Sequence, residues 1–299
     1  MWFLLDSKKN NPKKVSCLLF DVWIMSVFFL MIFKFFNFYP VSLKEIIKSI
    51  FPSIFALNWY VTCYLLLYLI YPYLNKIIYK RTKKELLTCV LTMSILYQGI
   101  NYIHHGHFFT SSLIEFIIIY FEVAYIKIYL KKYNENIKIN IIILLLSTVA
   151  VPILIIFTNF LGMNITFFQD KLLHWGGNHC PFILINSICL FNIFQHIKFH
   201  NKIINFISSL SLLIYIFHEN YFVREYLRPN IWIYIYKNYG YNNVVLIDLT
   251  LSALVFFISV IVCMLYKILL QPKLYKFSNF LHNFLSQKYN KITEFLVKI

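Results

Sequence analysis

An all-α, polytopic transmembrane helix bundle is the fold class this sequence predicts, and three observations predict it. Of the 299 residues, 60% are hydrophobic and only 13% are charged, whereas soluble domains average roughly 45–50% apolar and about 25% charged. Apolar runs of about 20 residues, long enough to cross a bilayer as a helix, recur along the whole chain. The basic residues gather between those runs. Counted over alternate connectors, 21 of the 28 fall on one side and 7 on the other, so the charge asymmetry predicts eight spans with both termini cytoplasmic. The net charge of +16 would otherwise suggest a nucleic-acid partner. That class is excluded because the charges lie at span ends, where they meet anionic headgroups, and no soluble basic face exists to hold a duplex or single strand.

The elements follow in order within one predicted membrane-embedded domain covering residues 1–299. Val15 to Tyr39 is the first span, preceded by Lys8, Lys9, Lys13 and Lys14. Ser42 to Ile50 sets Lys44, Glu45 and Lys48 among isoleucines and is too short to cross, which predicts an interfacial helix. Pro52 breaks the chain before the second span, Ser53 to Ile78. The third, more polar, is Glu85 to Tyr102, the fourth Phe109 to Leu130 and the fifth Ile139 to Leu161, kinked by Pro152. A polar connector then leads to the sixth span, Pro181 to Ile197, and the seventh, Ile203 to Phe217. An aromatic-rich loop runs to Asn243, the eighth span is Val244 to Leu270, and the tail to Ile299 is expected along the membrane surface.

Few residues offer chemistry. Ionisable side chains inside spans cost about 2.5–3.5 kcal/mol each at a helix centre, which singles out Glu115 and Glu122, seven residues and hence two turns apart on one face. Together with Pro152 they leave open a small-solute or polysaccharide transporter with a broken-helix ion site. Asp21 and Asp248 lie near span ends and are expected to be interfacial. His218 and Glu219 end the seventh span, and an imidazole beside a carboxylate can act as a general base or simply order a helix end. His104, His105, His107, His174, His179 and Cys180 share a predicted side but no tight ligand spacing, so no metal is expected. The six cysteines are scattered without a CxxC pair and read as small buried hydrophobes. No phosphate-cradling or nucleophile-elbow string is present.

One stretch is more decorated than an anchor requires. Asn58 and Trp59 open it, Tyr60, Tyr64, Tyr68 and Tyr71 follow as a ladder, and Pro72, Tyr73, Leu74, Asn75 and Lys76 close it. This segment resembles the tryptophan, tyrosine-ladder and Pro-x-Leu-Asn segment of the membrane acyltransferase 3 family, whose members O-acylate sugars, especially of bacterial surface polysaccharides. Tyr120 to Lys127 is similar to a second family helix, with Val123 in place of the usual glycine. Asn205 to Asn220 is similar to a third, ending in the His218-Glu219-Asn220 triplet with Arg224 at the expected distance. The resemblance implies an integral enzyme of the bacterial cell membrane. It moves an acyl group, usually acetyl, from acetyl-CoA or another acyl-CoA to a sugar hydroxyl, with membrane lipids and a carbohydrate acceptor as partners. Polar groups in apolar spans need partners, which makes Asn58, Trp59, Tyr64 and Arg224 the substrate-binding candidates; His218 and Glu219 are catalytic candidates on their own chemistry only, not as counterparts of the family's catalytic histidine. Family members also carry about ten spans, the first with a basic residue followed some ten residues later by a catalytic histidine. No such pair occurs here, so the expectation is a member lacking its first two spans, its catalytic residue unassigned, with a non-catalytic remnant as a further alternative.

Overall fold

The computed structural model describes residues 12–100, 111–169, 175, 180–239 and 243–297, and among these it is helical almost throughout, with no strand. In chain order the helices are α1 (Pro12–Phe35), α2 (Leu43–Ile50), α3 (Trp59–Tyr79), α4 (Lys83–Ser94), α5 (Ser112–Tyr129), α6 (Lys131–Asn134), α7 (Ile137–Gly162) and α8 (Thr166–Gln169). They continue as α9 (Pro181–His196), α10 (Lys202–Ser208), α11 (Ser211–His218), α12 (Arg228–Tyr239), α13 (Val244–Leu265) and α14 (Gln271–Val297). Three π turns join them, at Ile95–Gly99, Val223–Leu227 and Tyr266–Leu270. Among the described residues four helical stretches are long and apolar enough to cross a membrane: Lys13–Phe35, Trp59–Tyr79, Ile137–Gly162 and Val244–Phe284. Pro181–His196 is apolar but shorter, and α5 carries three charges, Glu115, Glu122 and Lys127, on 18 residues.

The chain forms two compact units, one of residues 66–199 and the other of residues 12–65 with 200–297, and α3 contributes to both. In the first unit α4 packs on α5 and α7 packs on α9. Pro152 sits inside α7, which continues from Ile137 to Gly162 regardless. Lipid supplies little hydrophobic drive between helices, so polar side chains hold such pairs. Asn192 donates to Asn140 Oδ1 at 3.0 Å and to Asn134 Oδ1 at 3.3 Å. Asn140 in turn donates to the carbonyls of Tyr133 and Asn136, and Ser147 donates to Asn186 Oδ1.

In the second unit α1 is the centre, packed by α2, α11 and α14. Its Leu18, Val22 and Met25 bury against Val61 of α3, Leu213 and Ile216 of α11, and Cys263. One level along, Phe29, Leu30 and Phe33 bury with Phe222. α2 begins with a capping box, Ser42 Oγ accepting from the Glu45 amide while Glu45 Oε2 accepts from the Ser42 amide at 2.7 Å. Glu45 and Ser49 are buried and Ile46 joins the phenylalanine cluster, so this short helix, expected at the membrane interface, is docked on α1. Five of the six cysteines are buried and Cys89 is half-buried, all as thiols.

Several expectations are corrected. Asp21, read as interfacial, is 4% exposed; it accepts from Tyr266 Oη and Tyr275 Oη, each at 2.7 Å, and from Gln271 Nε2 at 3.2 Å. Two of those donors, Gln271 and Tyr275, come from the tail, which therefore packs along α1, as the Ser16 Oγ to His282 Nδ1 contact of 3.0 Å also shows. The seventh span is interrupted: Ser209 Oγ bonds Phe206 O at 2.5 Å and Lys267 Nζ reaches both Ser209 O and Oγ, so α10 ends and α11 starts anew. The aromatic-rich loop after His218 is largely helical. The second span starts at Trp59, because the preceding residues 52–58 form turns in which Ala56 adopts φ 50.

Candidate functional site

The candidate residues of the second unit meet where α3 begins and α11 ends. Asn58 precedes the first turn of α3 and is 2% exposed; its Nδ2 reaches toward Glu219 O at 3.5 Å. A buried amide needs such a partner, and the contact ties the start of α3 to the end of α11. Trp59 is 37% exposed and stands edge-on to Tyr60. Tyr60 meets Tyr215 edge-to-face with ring centres 5.4 Å apart. Tyr64 packs, half-buried, against the α1 core cluster. The first third of the tyrosine ladder is thus a wall of packed rings under the polar end of α11.

At that end the backbone fixes the imidazole. His218 Nδ1 lies 2.7 Å from Ile214 O, an acceptor, so Nδ1 carries the hydrogen and the neutral ring presents Nε2 as a lone pair. Nε2 stands 3.7 Å from Glu219 Oε1, outside hydrogen-bond range. Glu219 is committed elsewhere: Arg228 Nη2 donates to its Oε1 at 2.7 Å and to His218 O at 3.3 Å. Asn220, 2% exposed, caps the next turn by accepting from the Phe222 amide at 3.1 Å.

The structure therefore brings together Asn58, His218 and Glu219, and it turns Arg224 aside. Arg224 Nε pairs with the adjacent Glu225 at 2.9 Å, and the guanidinium on Glu219 is that of Arg228. Beside His218 and Arg228 lies a cavity of about 460 Å³, further lined by Trp232 of α12 and by Asp248, Ser252 and Ser259 of α13. That volume is in the range of small-ligand sites. Ser259 donates to its own helix at Val255 O, while Asp248 lines the cavity and holds no hydrogen bond or ion pair among the described residues. Sequence reasoning missed Arg228 and Trp232 and read Asp248 only as an interfacial residue. A usable signal existed: Arg228 and Trp232, and likewise Asp248 and Ser252, are four apart and so share a helix face.

The floor beneath this region is set by α2. Glu45 Oε1 accepts from Tyr226 Oη, and Tyr226 stacks on Tyr39 with ring centres 3.8 Å apart. Burial alone raises the Glu45 pKa, but the hydrogen bonds from Tyr226 and Ser42, with the charge of Lys48, outweigh it and hold the carboxyl below its usual value. Burial and the bond to Glu45 push the Tyr226 hydroxyl far up.

His104, His105, His107, His174 and His179 lie outside the described residues. Among the described residues no group of three histidine, cysteine or carboxylate side chains could hold a metal. Glu115 and Glu122 belong to the first unit and are not part of this site.

The family model of the acyltransferase domain, acyltransferase 3, matches residues 13–268. No curated protein and no solved structure matches the chain. The matched range carries the tyrosine ladder, the His218-Glu219-Asn220 turn, and all or most of each membrane-length helix. An acyl donor is thus a required substrate, and the chain belongs to the acyltransferase 3 family of membrane acyltransferases.

Proposed function

We propose that this protein transfers an acyl group, acetyl in the simplest case, from acyl-CoA to a hydroxyl of a carbohydrate in a bacterial surface polysaccharide. The observation that carries the reading is the cavity beside His218. Trp232, Asp248, Arg228 and Ser252 line one space together with apolar side chains such as Leu251 and Phe256, a mixture suited to stacking a sugar ring and pairing with its hydroxyls.

The chemistry asks for a base at the attacking hydroxyl and a donor at the developing oxyanion. His218 Nε2, its tautomer set by Ile214 O, takes the hydroxyl proton as the oxygen attacks the thioester carbonyl. The carbon–sulfur bond then breaks and the proton leaves with the thiolate, so His218 ends as it began. Arg228, held on Glu219, supplies the nearest positive charge for the oxyanion. Asn58 and Glu219 act by fixing the end of α11.

The test is acyl transfer from labelled acetyl-CoA in membranes containing the full chain and cell-envelope carbohydrate. Label should enter carbohydrate as a hydroxylamine-labile ester, and His218→Gln should lower the rate about 100-fold or more, the usual contribution of a general base. Transfer at the parental rate in His218→Gln would remove the histidine from the mechanism, and label confined to lipid would remove the carbohydrate acceptor.

A further inference from the structure

The first unit holds a buried carboxyl that the acyl-transfer site does not use. Glu122 lies in the middle of α5 and is 8% exposed. Its Oε1 is 2.6 Å from Ser94 Oγ, and its Oε2 is buried with no hydrogen-bond partner among the described residues. Ser94 Oγ is also 2.8 Å from Val90 O, one turn back on α4. A serine hydroxyl has one proton and two lone pairs. If that proton goes to the Val90 carbonyl, which can only accept, the short contact to Glu122 requires a second proton, and the carboxyl is its source. The chain of donors then runs from Glu122 O–H to Ser94 Oγ–H to Val90 O, and every short contact is satisfied.

The orphaned Oε2 agrees with this count. Ionised, Glu122 would spread a full negative charge onto a buried oxygen with no donor among the described residues, at a cost neutral groups avoid. As the carbonyl oxygen of a carboxylic acid, Oε2 tolerates isolation far better. Among the described residues no cation bonds Oε2. The other charged groups on its own helix are Glu115, seven residues earlier, and Lys127, five later, and its remaining titratable groups are the hydroxyls of Tyr120, Tyr125 and Tyr129. α4 and the turn after it bring Glu85, Lys83, Lys84 and Tyr97, the last donating to Ser111 O at 3.1 Å. α3 reaches α5 through Tyr120 Oη on Asn75 Oδ1 at 2.7 Å, and its Lys76 lies over the Tyr73 ring. On α6, Lys131 pairs with Glu135 at 3.7 Å. None of these bonds Oε2.

We propose that Glu122 is a proton-carrying site, a carboxyl held as the neutral acid at neutral pH with Ser94 as its acceptor. Its occupancy is coupled to the backbone, because Ser94 is the last residue of α4 and the π turn Ile95–Gly99 follows at once. Such wide turns favour i→i+5 bonding and are frequent at functional sites. A shift of that turn moves Ser94 and removes the partner that retains the proton.

The deciding experiment is the infrared difference spectrum of the full-length protein against Glu122→Gln in detergent at neutral pH, with Asp21→Asn and Glu45→Gln as controls for the other buried carboxyls among the described residues. The expected result is a protonated carboxylic carbonyl band that disappears in Glu122→Gln, persists in Asp21→Asn and in Glu45→Gln, and shifts in Ser94→Ala. A carboxylate band lost in Glu122→Gln, with no carbonyl band, would overturn the proposal. A second measurement is independent of spectroscopy. Glutamine is a neutral isostere of the acid, so Glu122→Gln should melt with the parent, whereas marked destabilisation would show that the charged form is the native one. Neither readout depends on acyl transfer, so they stand or fall apart from the catalytic reading.

Discussion

Replacing Tyr226 by phenylalanine tests how α2 supports the site, since the change removes one oxygen and keeps the ring. The ring stays stacked on Tyr39 at 3.8 Å and packed in the cluster around Phe222. What is lost is the hydrogen bond to Glu45, a charged acceptor that is 8% exposed. Bonds to charged groups contribute about 1.5–3 kcal/mol. Glu45 keeps two donors on Ser42, at 2.7 and 2.9 Å, so the lower figure applies, about 1.5 kcal/mol. At about 2–4 °C per kcal/mol for a chain of this order of size, the melting temperature should fall by about 3–6 °C. The sign of the pH dependence follows from both partners. Glu45 is held below its ordinary value of 4.5, so its contribution is present above that value and is lost as pH falls through the depressed one. Tyr226 is raised above 10.0, so its contribution is whole below 10.0 and is lost only as pH climbs through the raised value. The measurement is thermal unfolding in detergent across this range for the parent, Tyr226→Phe, Glu45→Ala and the double variant. A fall of equal size in the Glu45→Ala background, where the acceptor is gone, would refute the pairing, because the bond could not then be the source of the loss.

Arg228→Ala should cost more activity than Arg224→Ala, by about tenfold, equivalent to about 1.4 kcal/mol at the barrier. The thermal midpoint should barely move, since a pair with side chains 43% and 22% exposed contributes about 0–1 kcal/mol to stability. Equal losses in the acyl-transfer assay would return the role to Arg224. Asn192→Leu should loosen α7 from α9 by about 0.6–2 kcal/mol, the range of interhelical polar contacts in membranes. Denaturant titration in mixed micelles reads that loss, and Asn140→Leu with Asn192→Leu should lose less than the two single changes summed, because the pair shares one bond.

Much of the helical fold was legible because hydrocarbon imposes a simple rule, a long apolar run closed by charge. Pro12–Phe35, Ile137–Gly162 and Pro181–His196 each lie within four residues of their expected ends. The misses share a cause, which is polar chemistry acting at a distance in sequence. Nothing local in Ile203 to Phe217 announces that Lys267, 58 residues on, will take the Ser209 carbonyl and split the helix. Nothing around Asp21 announces two tyrosines and a glutamine some 250 residues later. At the site, His218 and Glu219 were visible as adjacent polar residues at a span end. Their partner was not, because Arg224 and Arg228 are equivalent on paper until the Val223–Leu227 turn directs one to Glu225 and the other to Glu219.

The wide turn at Tyr266–Leu270 bears on how the Asp21 cage is assembled. On a regular helix Tyr266 and Gln271, five residues apart, would diverge by about 140°, and one carboxylate could not collect both. Gln271 and Tyr275, four apart, need no such help. The π turn absorbs the odd residue, so that donors spaced five and four along the chain arrive as neighbours. A shorter sequence with four residues in place of five and an ordinary α-turn would present the same three groups. The helix register is thus indifferent to one residue at this point, and a single-residue length difference between relatives here would leave the cage intact.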